Sequence, residues 1–182
     1  AAFRAIRTGG ASGTAYVTYY REPADTTVLV SNTLYSGITA VGNVGIGEDT
    51  LVTYTMPANT LSGDGQGIRV VAFGRTGATA NVKTIKLHFG ATAVLITVGG
   101  VAANAKSWYA ELTVVRTAAA TQVANGFCLL GANASPSAFM SDADPPNNYP
   151  AETLTGAVVI KCTGPGTADD DIVQHGMVIE RF

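Results

Sequence analysis

A chain of 182 residues with 47% hydrophobic and only 13% charged residues has material for one core, or one core with an arm, and more apolar surface than a lone domain leaves wet. Its net charge of −2 excludes the concentrated Lys/Arg field of a non-specific nucleic-acid binder, so an oligomer rather than a nucleic-acid complex is expected. The longest apolar runs, such as Val94–Val98, are a few residues long, which excludes a membrane-spanning helix.

The first ten residues carry Arg4 and Arg7 without an apolar stretch behind them, so they are not a secretory signal. Ala1 is the small residue left after removal of an initiator Met, and a complete chain made in the cytoplasm is expected. Residues 1–45 are small and polar with apolar patches at 15–20 and 26–35. The first 21 residues hold Arg4, Arg7 and Arg21 and no acid, whereas the C-terminal part is rich in acids. This predicts a partly extended N-terminal arm over 1–45 that attaches the protein to something else, ahead of a compact domain over 46–182. The candidate assembly residues of the arm are Phe3, Arg4, Ile6, Arg7, Tyr16, Tyr19 and Tyr20.

From Asp49 onward the pattern is all-β: no window holds a helical period, and Thr, Val and 21 glycines dominate. Asp49–Thr55 is predicted to set Leu51 and Thr53 on one face and Val52 and Tyr54 on the other. Ile68–Phe73 places Ile68, Val70 and Ala72 together. In Val82–Phe89, Ile85, Leu87 and Phe89 point inward while Thr84, Lys86 and His88 point out. Further strands are predicted over 93–98, 107–117, 121–130, 154–163 and 171–182, separated by turn chemistry. Eight antiparallel strands at this spacing suit a two-sheet sandwich of jelly-roll type. Cys128 and Cys162 each fall in a predicted strand and read as buried thiols rather than a disulfide; whether they are close is left open. A zinc site would need more Cys and His at short spacing.

Candidate chemistry is sparse. His88 and His175 lie in predicted strands with no nucleophile-elbow motif beside them, so they read as ordinary strand histidines. Asp169, Asp170 and Asp171 are consecutive rather than alternating with spacers, which suits a solvated turn better than a calcium loop. The glycine-rich stretches 42–49 and 63–67 are followed by no helix, so they are not phosphate cradles. The loop 141–149 is the longest turn-rich segment. Its Asp142, Asp144, Asn147, Asn148 and Tyr149 are the stock of sugar-contacting surfaces and form a candidate ligand loop, although a Pro-stiffened crossover accounts for them as well. No catalytic residue, metal site or cofactor is predicted.

The chain also repeats itself. Pro57-Ala-Asn-Thr-Leu61-Ser-Gly63 is echoed by Pro150-Ala-Glu-Thr-Leu154-Thr-Gly156, each leading into an apolar run. Pro suits a strand start, Leu enters the core, and Gly permits a turn with positive φ, so the echo is read as one corner used once in each half of a sandwich.

Taken in order, Gly47–Gly90, Ser107–Gln122 and Pro150–Glu180 carry Glu48, Asp49, Leu51, Pro57, Leu61, Gly74, Lys83, Phe89, Gly90, Trp108, Arg116, Thr117, Asp171 and Ile172 at the spacing of a domain found in tailed-bacteriophage virion proteins. The chain resembles that family over roughly Gly42 to Glu180. It departs from it at Gln66, where Asp is usual, and at His88, where an aromatic often stands. The resemblance implies a non-enzymatic virion protein: a homotrimer of jelly rolls decorating the capsid or forming a short head fibre, held to other virion proteins by the arm. The alternative it leaves is a tail-fibre tip or adhesin that binds host-surface carbohydrate.

Overall fold

The computed structural model describes residues 3–8, 16–21, 32–99, 105–131, 136–140 and 149–182. Two compact units result, 1–31 and 32–182. In the first, β1 (Phe3–Thr8) and β2 (Tyr16–Arg21) pair antiparallel, with Arg4 opposite Tyr20 and Ile6 opposite Thr18. The candidate arm residues thus sit on one hairpin.

The second unit is a two-sheet antiparallel sandwich. Its strands are β3 (Thr33–Gly37), β4 (Val41–Gly42), β5 (Gly47–Met56), β6 (Gly67–Thr76), β7 (Lys83–Phe89), β8 (Thr92–Gly99), β9 (Ser107–Ala118), β10 (Thr121–Gly131), β11 (Pro136–Met140), β12 (Val158–Gly166) and β13 (Ile172–Arg181). The larger sheet runs β11-β10-β9-β6-β13-β3, with β4 also on β13; the smaller runs β5-β12-β7-β8. The pairs nest: β7 with β8, β6 with β9, β5 with β12 and β3 with β13. Residues 32–45, assigned from sequence to the arm, contribute β3 and β4 to the larger sheet, because Tyr35 and Val41 lie opposite Ile179 and Gln174. Among the described residues no helix is long and apolar enough to cross a membrane.

Alternation builds the core. Ile68, Val70 and Ala72 from β6, Leu112 and Val114 from β9, and Met177 and Ile179 from β13 meet Ile85, Leu87 and Phe89 from β7 and Ile160 from β12, all but inaccessible to water. Cys128 and Cys162 are buried thiols in this core. Burial pushes the Cys162 thiol up, and Cys128 adds to the effect, so it is inert rather than nucleophilic.

On β5 the predicted alternation fails. Cys162 faces Val52 and Thr163 faces Thr50, so Leu51 is an extra, bulged residue. The bulge turns Leu51 into the core while Val52 and Tyr54 also pack against it and Thr53 stays exposed. The echoed corners bury Leu61 and Leu154, one before each sheet's strand, and touch through Asn59 N–H to the Leu154 carbonyl at 2.8 Å. Their turns differ: the first closes from Thr60 to Pro57, the second from Gly156 to Thr153. The positive φ in the first falls on Asn59, at 60°, and on neither of the echoed glycines.

Candidate assembly face

Lys83 opens β7 in one sheet and Asp171 directly precedes β13 in the other. Their side chains, both 0% exposed, lie 3.3 Å apart. The β6–β7 loop brings the Thr79 hydroxyl and the Asn81 amide to the Asp171 carboxylate, and the β12–β13 turn brings the Thr167 and Ala168 N–H groups at 2.9 and 3.0 Å. Lys83 Nζ also donates to the Thr79 and Asn81 carbonyls. Burial alone would raise the Asp171 carboxyl; the donors from Thr79, Thr167, Asn81 and Ala168 outweigh it and hold the group well below the ordinary range. The solvated-turn reading therefore holds for exposed Asp169 and Asp170 and fails for Asp171, which enters an interior furnished with donors. Asn43 clamps the same turn, accepting from Ile172 N–H and donating to the Ala168 carbonyl, both at 2.8 Å.

The outer face of the smaller sheet is mainly polar: Thr53 and Thr55 from β5, Thr84, Lys86 and His88 from β7, and Lys161 and Thr163 from β12, with Val159 of β12 its exposed apolar member. Glu48 accepts from Lys86 Nζ at 2.5 Å and from the Thr163 hydroxyl at 2.6 Å, and His88 Nε2 lies 3.0 Å from the Thr163 oxygen. Because the Thr163 proton is committed to the carboxylate, the imidazole donates, which places its proton on Nε2. Nδ1 is left buried and unpartnered. His88 faces outward as predicted yet is only 8% exposed, so it is a buried histidine and not a surface one. Burial lowers its pKa; Lys161 and Lys86 lower it further against the opposing pull of Glu48. For Glu48, burial is outweighed by Lys86 and Thr163, and the carboxyl sits below its usual range.

In carboxylate–hydroxyl–imidazole order this trio superficially suggests a hydrolase. Nucleophilic catalysis needs the imidazole to take the hydroxyl proton. Here the hydroxyl gives its proton to the carboxylate, the imidazole is a donor, and Thr163 is 2% exposed, out of reach of a substrate. His175 is exposed at the β13 bulge, where the pairing passes from Gln174 to Gly176. Among the described residues no group of three or more His, Cys, Asp or Glu could hold a metal ion.

The outer face of the larger sheet is different. Register places Val71 and Phe73 of β6, Tyr109 and Val115 of β9, Val123, Phe127 and Leu129 of β10, and Val178 of β13 on it. Phe73 and Val123 are 39% and 41% exposed. The Tyr109 and Phe127 rings pack 6.0 Å apart. A polar spine crosses this apolar field: Glu111 accepts from Arg69 at 2.7 Å and from the Tyr109 hydroxyl at 2.8 Å. Arg69 is what chiefly pulls the Glu111 carboxyl down. Two recesses lie over β9 and β10, on one side of the spine. One of about 340 Å³ is lined by Glu111, Thr113, Asn125, Gly126 and Phe127. The other, of about 400 Å³, shares Thr113 and Asn125 with it and ends at Tyr149.

Of the candidate ligand loop, Tyr149 is described and is 56% exposed; Asp142, Asp144, Asn147 and Asn148 lie outside the described residues. Sequence reasoning missed the larger sheet's outer face. Its signal was present in the outward positions of 69–73, 109–115 and 123–129, where Val71, Phe73, Tyr109, Val115, Val123, Phe127 and Leu129 outnumber the polar Arg69, Glu111, Thr113 and Asn125. Comparison of the chain with protein-family models, with curated proteins and with solved structures finds no match.

Proposed function

We propose that this chain is a non-enzymatic structural protein of a bacteriophage virion, a jelly-roll sandwich that self-associates, as a homotrimer, to decorate the capsid or form a short head fibre. What supports the non-enzymatic part is the Glu48–Thr163–His88 arrangement: the Glu48 carboxylate 2.6 Å from the Thr163 hydroxyl takes its proton, so this hydroxyl–imidazole pair is not set up as nucleophile and base. The nested strand pairs support the jelly-roll reading, since a rolled hairpin produces that order.

The positions that carry the resemblance support it as a likeness of framework. Lys83 meets Asp171, Arg116 donates to the Leu61 carbonyl at 2.7 Å, and an added Cβ on Gly74 would meet the Trp108 ring. They fasten one another instead of facing a ligand. The hairpin of residues 3–21 is the proposed strap to a capsid or tail partner. Light scattering on the full chain over a wide concentration range tests the reading: a mass three times the 18.6 kDa chain is expected, and a monomer at every concentration overturns it.

One observation favours a second reading, a tail-fibre tip or adhesin for host-surface carbohydrate: exposed Tyr149 closes a recess that also holds Asn125 and Thr113, an aromatic platform with polar neighbours. Glycan-array signal lost on Tyr149→Ala is the outcome this reading requires.

A further inference from the structure

We propose that Asp64–Gly65, in the turn between β5 and β6, is a site of spontaneous covalent modification at which the folded chain rearranges to isoaspartate, and that Arg116 restrains the rearrangement.

Two dipeptides in the sequence set a side-chain carbonyl beside a glycine nitrogen in the way this chemistry needs: Asp64–Gly65 and Asn125–Gly126. Glycine lacks the Cβ that would hinder its nitrogen as it swings toward the preceding side chain. In an open chain the asparagine reacts first, because ammonia leaves a carboxamide more readily than water leaves an acid. The fold reverses that order. Asn125 and Gly126 are laddered in β10 opposite Thr113 and Leu112 of β9, and a Cβ on Gly126 would meet the Glu111 carbonyl. Ring closure there requires the ladder to open. Asp64 and Gly65 belong to no strand. Their turn is closed by Gln66 N–H to the Gly63 carbonyl at 3.2 Å, the Asp64 side chain is 63% exposed, and nothing lies within 4 Å of a Cβ built on Gly65.

The reaction needs only water. The Gly65 nitrogen bonds to Asp64 Cγ, and the carboxyl OH and the amide proton leave together as water, closing a succinimide ring. Water then adds at the former main-chain carbonyl and the C–N bond there breaks. The chain now runs through Cγ, and the old α-carboxyl becomes the side chain.

Arg116 grips both reacting groups. Its Nε lies 2.8 Å from Asp64 Oδ1, and its carbonyl accepts the Gly65 N–H at 2.9 Å, the hydrogen that must be given up. Its Nη1 also donates to the Leu61 carbonyl at 2.7 Å. The rearranged residue has one more backbone carbon and its carboxylate on a shorter stem. The grip of Arg116 is then lost at the corner that plants Leu61 in the core.

The test holds the full chain at neutral pH and physiological temperature, folded and in urea, and follows both by proteolytic mapping, which separates isoaspartyl from aspartyl peptides of equal mass. In urea Asn125 is expected to convert first; in the folded chain isoaspartate is expected at residue 64 while Asn125 keeps its mass. Asp64→Glu, which would have to close a larger ring, abolishes the folded-chain product. Arg116→Gln accelerates it by about 3-fold, in the range that a partly exposed ion pair supplies. Circular dichroism melts show which variants fold; if Arg116→Gln does not, Asp64→Glu and the comparison with urea carry the test. Asn125 converting first in the folded chain, or no isoaspartate at residue 64 while the unfolded chain forms it, overturns the site. An unchanged rate in folded Arg116→Gln overturns the role of Arg116.

Discussion

The two outward faces of the sandwich are built by the same rule and end in opposite chemistry. On the smaller sheet the outward positions include Thr53, Thr55, Thr84, Lys86, Lys161 and Thr163, with Val159 as an exposed apolar exception; on the larger they include Val71, Phe73, Tyr109, Val115, Val123, Phe127 and Val178, interspersed with Arg69, Glu111, Thr113 and Asn125. Alternation decides only which side chains leave the core. What they leave it for is decided by their polarity, and the larger sheet's set suits contact while the smaller sheet's set suits water.

The comparison presumes that both faces hang on one frame, and the largest test is to break that frame. Lys83→Met strands Asp171 in the interior without its counter-ion, and a loss of about 3–5 kcal/mol is expected in urea unfolding at neutral pH. Both faces should suffer together; a variant that lost assembly at unchanged stability would mean the buried pair serves one face only.

A second test separates the faces by pH. The folded-state pKa of His88 lies below its ordinary value, so the unfolded chain takes up a proton first as pH falls. The contribution is complete above about pH 6.5 and declines below it. His88→Phe removes both the titration and the orphaned Nδ1, so its stability should fall less between pH 6.5 and 5 than the wild type's, with neutral-pH stability within about 1 kcal/mol. A steeper acid loss in the variant would show that the imidazole is not buried as described. The smallest effect is expected from Lys86→Ala: a partly exposed ion pair is worth about 0–1 kcal/mol, and association should be unchanged.

Much of the frame was legible in the residues. Val82–Phe89 has an unbroken period of two, so Ile85, Leu87 and Phe89 were placed in the core by pattern alone, and the predicted long strands all form. The misses share a cause. Leu51 escaped because a bulge adds one residue to β5, and only the partner's register reveals it. Asp171 escaped because its partners are loop groups from 79–81 and 167–168, and chain spacing does not tell how loops converge. His88 was assigned the right direction and the wrong environment, since the sheet-surface neighbours that bury it come from β5 and β12. The candidate assembly face escaped because hydrophobic outward positions in a strand look, residue by residue, like more core.

One fastening has a use in protein engineering. Arg181 N–H donates to the Asn32 carbonyl at 2.7 Å, and Phe182 exchanges backbone bonds with Gly67. Residues 32 and 182 are therefore neighbours at one corner of the larger sheet, and a short Gly/Ser bridge would join β13 to β3 as an ordinary hairpin. Reopening the chain at the exposed turn around Ala119 and Ala120 would give a circular permutant of the sandwich whose new ends emerge far along the sequence from the old corner. Such a rearranged chain offers a fresh site for display fusions.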